Sequence, residues 1–247
     1  MTCTVTLAMP GLSFAAADTR LNFLNEGEWT RYDARIGAFT LNSGRVIEIL
    51  DGCRKIRKIG NSWTATTGDG VSGQLAFSML QSISLDGGSL PDAWALKRET
   101  LRLQSHLESG FSLDEIDKTR ILVAVGDNSA RIEEFTFASG TLTNHGNFVV
   151  TWPPGMTTID SEMASSSLVA SFNTAVETGN FYGLVRAAVA SIKFAAERCP
   201  TVGPIVQIGF AIGILDEDTQ SFRIEGRANE LVELNDDKLK LRQVKVE

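Results

Sequence analysis

Histidine and cysteine are scarce in this chain. Two histidines, His106 and His145, and three cysteines, Cys3, Cys53 and Cys199, are spread over 247 residues. Neither histidine has a His or Cys partner at ligand spacing, so a metal centre is not expected. The odd number of cysteines, their unrelated spacings and the absence of a CxxC exclude a disulfide framework and fit a reducing compartment. No apolar run approaches the roughly 20 residues that a membrane helix needs. No charged leader precedes an apolar stretch at the start, so the expected location is cytoplasmic. Basic clusters are missing too, apart from Arg54-Lys55-Ile56-Arg57-Lys58. With a net charge of −7 and a pI near 5.0, neither nucleic acid nor an anionic membrane is an expected partner. There is no GxSxG elbow to support Ser-His-Asp catalysis.

What is present is enough apolar residue, 43% of the chain, for one sizeable core. No internal repeat or low-complexity linker interrupts it, so residues 1–247 read as one domain. Residues 3–8 and 12–18 read as two strands broken at Pro10-Gly11. The stretch from Leu21 to Asp51 is polar and turn-rich, with a hairpin signal at Asn42-Ser43-Gly44. Strands are expected over 54–59 and 62–67, around Gly60-Asn61. A helix begins near Val71 and stops at Gly87-Gly88, and a second runs from Pro91 to Gly110. Strands return at 119–125, 130–137 and 147–152. Helices then cover 160–176 and 181–198, followed by strands at 205–215 and 221–225 and a charged tail. His106 falls on a solvated helix face, and His145 in a turn.

Runs of strands alternating with pairs of helices favour an α+β layer arrangement over repeated βαβ units. Two antiparallel sheets stacked face to face, with helices outside, satisfy this order. Each sheet then has both faces covered, which explains strands that are apolar nearly throughout.

The start of the chain is Met1-Thr2-Cys3-Thr4-Val5-Thr6, and Ala15-Ala16-Ala17-Asp18-Thr19-Arg20 follows one turn later. Thr2 is small enough for the initiator Met to be removed. A terminal threonine carries a nucleophilic hydroxyl and, in its α-amine of pKa roughly 7.7–8.0, its own base. This pair of segments resembles the N-terminal-nucleophile hydrolases of the proteasome β-subunit type, including the bacterial proteasome-like peptidases. The resemblance implies a four-layer αββα sandwich and threonine-dependent amide hydrolysis without metal or cofactor. It also implies a homo-oligomeric ring or spiral acting on peptides or unfolded protein.

The resemblance assigns further residues. Arg54-Lys55-Ile56 matches the family's strand lysine, making Lys55 the partner of Asp18 beside Thr2. Lys58 is the rival, pointed to the opposite face by strand alternation, and a charge-protected edge strand is the alternative reading of the whole run. Ala65-Thr66-Thr67-Gly68-Asp69-Gly70 resembles the strand-to-helix turn whose glycine offers an N–H to the oxyanion. Gly68 is the matching position, with a plain turn glycine as the alternative. Cys3 is taken as a buried strand residue.

The chain departs from the family in three places. The segment between Asp18 and Lys55 is longer than usual. Trp152-Pro153-Pro154-Gly155-Met156 replaces a serine-bearing Gly-rich turn. Cys199-Pro200-Thr201-Val202-Gly203-Pro204 lacks the Asp and Ser that tune the threonine amine, so Thr201, Ser161 or Ser166 are the candidate replacements. Rival functions are a non-catalytic ring subunit, a non-peptide amidase and an unrelated binding module. On the second helix, Trp94, Leu96, Leu101, Leu103 and Leu107 are more apolar than one buried face requires, which points to a subunit contact.

Overall fold

The computed structural model describes residues 2–24, 46–50, 53–60, 62–153, 155–178, 181–216, 221–226, 230–235 and 238–243. In chain order the strands and helices are β1 (Thr4–Met9), β2 (Leu12–Asp18), β3 (Leu21–Leu24), β4 (Val46–Leu50), β5 (Ile56–Ile59), β6 (Ser62–Thr67), α1 (Gly70–Leu85), α2 (Leu90–Ser109) and α3 (Leu113–Ile116). They continue with β7 (Arg120–Val125), β8 (Arg131–Thr136), β9 (Leu142–His145), β10 (Phe148–Thr151), α4 (Thr158–Thr178) and α5 (Phe181–Arg198). The chain then forms β11 (Ile205–Asp216), β12 (Ser221–Gly226), β13 (Glu230–Asn235) and β14 (Lys238–Gln243).

One antiparallel sheet has the order β10-β1-β2-β11-β13-β14, with β12 also paired to β11. A second has the order β5-β6-β7-β8-β9. They stack through small side chains. Ala15 and Ala17 meet Ile56, Trp63 and Ala65, while Ala8 meets Leu122, Ala124 and Ile132. Strand alternation puts the other face of β1 and β2 to work elsewhere. Cys3, Val5, Leu7, Phe14 and Ala16 pack with Leu168, Leu184, Ala188 and Ile192 of the α4–α5 layer. On the far side, Phe77, Leu80 and Trp94 of α1 and α2 cover Ile121, Val123 and Phe135. The architecture is a four-layer αββα sandwich.

The sheets approach closely because β11 carries a glycine where the Trp63 ring comes up against it. A Cβ on Gly209 would fall 2.2 Å from the Trp63 ring. Ser13 bridges the same gap, its hydroxyl accepting from the Trp63 N–H at 2.8 Å and donating to the Ala124 carbonyl at 2.7 Å. Both partners are buried, so the bridge satisfies groups that water cannot reach.

Three sequence expectations need correction. His145 ends strand β9, with Nε2 2.6 Å from Glu134 Oε2, and does not lie in a turn. The charged tail contains β13 and β14, which pair antiparallel with each other. Leu21–Leu24, placed in a turn-rich stretch, pairs antiparallel with Val46–Leu50. On α2, Trp94 and Leu101 are buried, and Leu96, Leu103 and Leu107 are exposed apolar surface beyond the buried face. The hairpin centred on Asn42-Ser43-Gly44 lies outside the described residues.

Candidate active site

Asp18 is the last residue of β2 and is fully buried. Its carboxylate gathers four donors among the described residues. Oδ1 accepts the Cys3 N–H at 2.8 Å. Oδ2 accepts the Arg20 N–H at 3.1 Å, the Gly203 N–H at 3.4 Å and the Lys55 ammonium at 2.8 Å. A buried carboxylate is costly to desolvate unless its lone pairs are met in this way.

Lys55 is 37 positions from Asp18 in sequence and reaches it because the backbone nearby is stitched. The Cys53 N–H donates to the Thr19 carbonyl at 2.9 Å, bringing the approach to β5 alongside the end of β2. The Lys55 carbonyl accepts the Thr66 N–H at 2.9 Å, which ties it to β6. The rival Lys58 stands cross-strand from Trp63 and is half-buried. It has no such carboxylate among its described hydrogen bonds.

Thr2 precedes β1 and is 6% exposed. The N–H of Cys3 belongs to the Thr2–Cys3 peptide, so Asp18 holds the peptide next to Thr2 and the Lys55 ammonium with one carboxylate. Cys3 itself points the other way, into the α5-side core. Burial, reinforced by the Asp18 charge, pushes its thiol well above the ordinary range. A protonated, buried thiol is a poor nucleophile.

Gly68 sits between β6 and the N-cap of α1, at φ +102°. A Cβ there would lie 2.6 Å from the Thr119 backbone. The glycine is therefore required by the turn itself, independent of any chemistry. The turn is held by the Asp69 N–H donating to Thr119 Oγ1 at 3.0 Å and by Asp69 capping Ser72 at 2.8 Å. Gly68 is two residues beyond Thr66, which bonds Lys55. The structure thus brings Asp18 and Lys55 into direct contact, holds Thr2 through its peptide, and links Gly68 through β6.

Of the candidate replacements, Ser161 and Ser166 donate to the Thr158 and Glu162 carbonyls within α4, at 2.9 and 2.8 Å. Thr201 stays in the loop before β11, next to Val202-Gly203. That loop reaches Asp18 through the backbone of Gly203, a contact that side-chain motifs do not signal. Gln207 was also missed, and its only sequence signal is a lone polar residue inside the apolar run Ile205–Ile214.

No group of three or more His, Cys, Asp or Glu able to hold a metal occurs among the described residues. No helix among them is long and apolar enough to cross a membrane.

No protein-family model matches this chain, and no curated protein matches it. Solved structures do. A mutant of Anbu from Hyphomicrobium sp. strain MC1 aligns over 96% of this chain and 89% of its own, at 12% identity and a TM-score of 0.56. Anbu, described as an ancestral beta-subunit, from Yersinia bercovieri aligns over 85% of this chain and 81% of its own. There the identity is 17% and the TM-score 0.54. The chain has the proteasome-like N-terminal-nucleophile hydrolase fold. At such identities the likeness extends to the fold and not to the chemistry, because one fold hosts many activities. Within the proteasome-like fold, the Asp18 cluster lies where β1, β2 and the start of β5 converge.

Proposed function

We propose that this chain is a threonine hydrolase that cleaves peptide bonds. The observation that carries the reading is the buried Asp18 carboxylate, which accepts both the Cys3 N–H beside Thr2 and the Lys55 ammonium. Removal of Met1 frees the Thr2 amine. That amine takes the proton of the Thr2 hydroxyl as the oxygen attacks the substrate carbonyl carbon. The Lys55 ammonium lowers the cost of the developing alkoxide, and Asp18 orients it. The Gly68 N–H, next to the start of α1, receives the oxyanion. Collapse of the tetrahedral intermediate expels the leaving amine, which takes the proton from the Thr2 ammonium. Water then cleaves the ester, with the Thr2 amine again accepting a proton. The reaction needs neither metal nor cofactor.

A self-compartmentalising homo-oligomer, ring or spiral, in the cytoplasm completes the proposal. Leu96, Leu103 and Leu107 on α2 favour it, at 80%, 52% and 83% exposure. These positions share one helix face at spacings of seven and four residues.

The deciding experiment combines intact mass with turnover. Purified protein should lack Met1, and it should cleave a panel of short peptides in a reaction that Thr2→Ala abolishes while leaving the fold unchanged. Turnover of small amides alone would make it a non-peptide amidase. A processed, folded and assembled protein without turnover would make it a ring subunit. Normal cleavage by a chain that retains Met1 would sink the mechanism.

A further inference from the structure

Gln207 lies in β11 and is 1% exposed. Its side chain crosses from the seven-stranded sheet to the start of β5 in the other sheet. Oε1 accepts the Lys55 N–H at 3.0 Å and the Ile56 N–H at 3.2 Å. Nε2 donates to the Ile56 carbonyl at 3.4 Å. Three backbone groups of two consecutive residues therefore depend on one amide side chain.

This contact has a consequence for Lys55. In a regular strand, successive amides point in opposite directions, and successive side chains alternate faces. Here the Lys55 and Ile56 amides converge on a single oxygen, so the regular pleat begins only at Ile56. Alternation alone would pair Lys55 with Arg57 and Ile59, and Ile59 packs in the helix-side core. The break in the pleat frees Lys55 from that face and lets its ammonium reach Asp18 in the opposite sheet. Gln207 stands opposite Ala17 in the β2–β11 register, and its neighbour Val206 stands opposite Asp18. One pair of strands thus holds Lys55 at both ends, by its backbone through Gln207 and by its ammonium through Asp18.

We propose that Gln207 is a positioning residue that sets the Lys55 ammonium in its place beside Asp18 and Thr2. The chemistry needs an amide at this position. Glutamate keeps the acceptor for both N–H groups but loses the donor to Ile56. Asparagine keeps both functions and falls short by one methylene. Leucine fills the space and leaves two buried N–H groups unmet. The inference rests on the proposed role of Lys55, so its test includes a measurement that does not require turnover.

The full-length, processed protein is compared with Gln207→Leu, Gln207→Glu and Gln207→Asn. Gln207→Leu should lower kcat at least tenfold with KM changed less than twofold, and alter the pH dependence of kcat. Gln207→Glu should recover a large part of that loss. A folded Gln207→Leu protein with wild-type kcat and pH profile overturns the proposal. If Gln207→Leu does not fold, Gln207→Asn decides: a kcat loss of tenfold or more supports the role, and wild-type kcat overturns it. In parallel, the side-chain ammonium resonance of Lys55 is followed by proton–nitrogen correlation. It should shift in Gln207→Asn while the other lysines stay in place, and an unmoved Lys55 signal overturns the proposal. An inactive wild-type protein would defeat the proposed hydrolysis, and the Lys55 resonance would still decide the placement.

Discussion

The N–H of Cys3 lies 2.8 Å from Asp18 Oδ1, so the residue after Thr2 is fastened to the carboxylate that also binds Lys55. A displacement of β1 against β2 would break this bond together with the Asp18 N–H to Cys3 carbonyl bond at 3.2 Å. The peptide that follows Thr2 is thereby held by tertiary contacts, which the proposed chemistry at Thr2 requires.

Lys55 and Asp18 should behave as one catalytic unit. Lys55→Ala and Asp18→Asn should each lower kcat by roughly 10²–10³-fold, in line with the loss of one electrostatic stabiliser. The double variant should be little worse than either single one, because groups acting as a unit are strongly non-additive. Lys58→Ala should leave kcat within twofold. Steady-state kinetics on all four proteins checks this, and a silent Lys55→Ala beside a crippled Lys58→Ala would reverse the assignment.

The same pair should be asymmetric in stability. Asp18→Ala strands a buried ammonium and three N–H donors, at a cost of about 3–5 kcal/mol. Lys55→Met leaves the carboxylate with three N–H partners, those of Cys3, Arg20 and Gly203. Urea unfolding should therefore show clearly the smaller loss for Lys55→Met. Equal losses would mean that the backbone donors contribute little.

Substitution at Gly68 should damage the turn before it touches chemistry. Gly68→Ala forces a positive φ on a residue with a Cβ, and that atom meets the Thr119 backbone at 2.6 Å. A strained φ costs of order 1–3 kcal/mol, and the clash adds to it. A thermal melt should show a drop of several degrees. A variant that melts with the wild type would mean that the turn is looser than the φ of +102° requires.

Cys3 makes stability depend on pH in the alkaline range. Its thiol is raised in the fold by burial and by Asp18, so the folded chain holds the proton more tightly than the unfolded one. Stability is then fully present below the ordinary thiol pKa, about 8.5, and is lost as pH rises above it. Cys3→Ala should flatten that fall, measured by denaturant midpoints at neutral and alkaline pH. In the native protein at neutral pH, Cys3 should also resist alkylation.

Assembly should run through the exposed leucines of α2. Light scattering at micromolar concentration should show a particle larger than one chain. Replacing Leu96, Leu103 and Leu107 by glutamate should dissociate it without lowering the melting temperature of the subunit. A strictly monomeric, well-folded wild type would remove the compartment from the proposal.

Much of the layer order was legible because burial on both faces writes itself into the chain. Leu12–Asp18 matches the expected strand end to end, and all seven of its residues are buried. The limits of α2 followed from Pro91 in its first turn and Gly110 in a left-handed cap at φ 73°. The sequence pattern does not signal β3, β9, β13 and β14. Two of them, β9 and β14, lie at sheet edges, and an edge strand such as β9 mixes polar and apolar residues and looks like a turn.

The sequence by itself determined the residue types of the candidate site: a threonine ahead of the first strand, an aspartate closing an alanine-rich strand, a lysine in a basic run and a glycine before a helix. Those are local features, set by propensity, periodicity and motif. Only the tertiary structure decided that Lys55, and not Lys58, meets Asp18, because the choice depends on where the pleat of β5 begins. That in turn depends on Gln207, a residue 152 positions away from Lys55. It also decided that Gly203 serves Asp18 with its backbone, since an N–H is common to every residue but proline and leaves no mark in the sequence. The physical reason is the same in both cases. A hydrogen bond across two stacked sheets is specified by their register and separation, and these emerge only when the whole core packs.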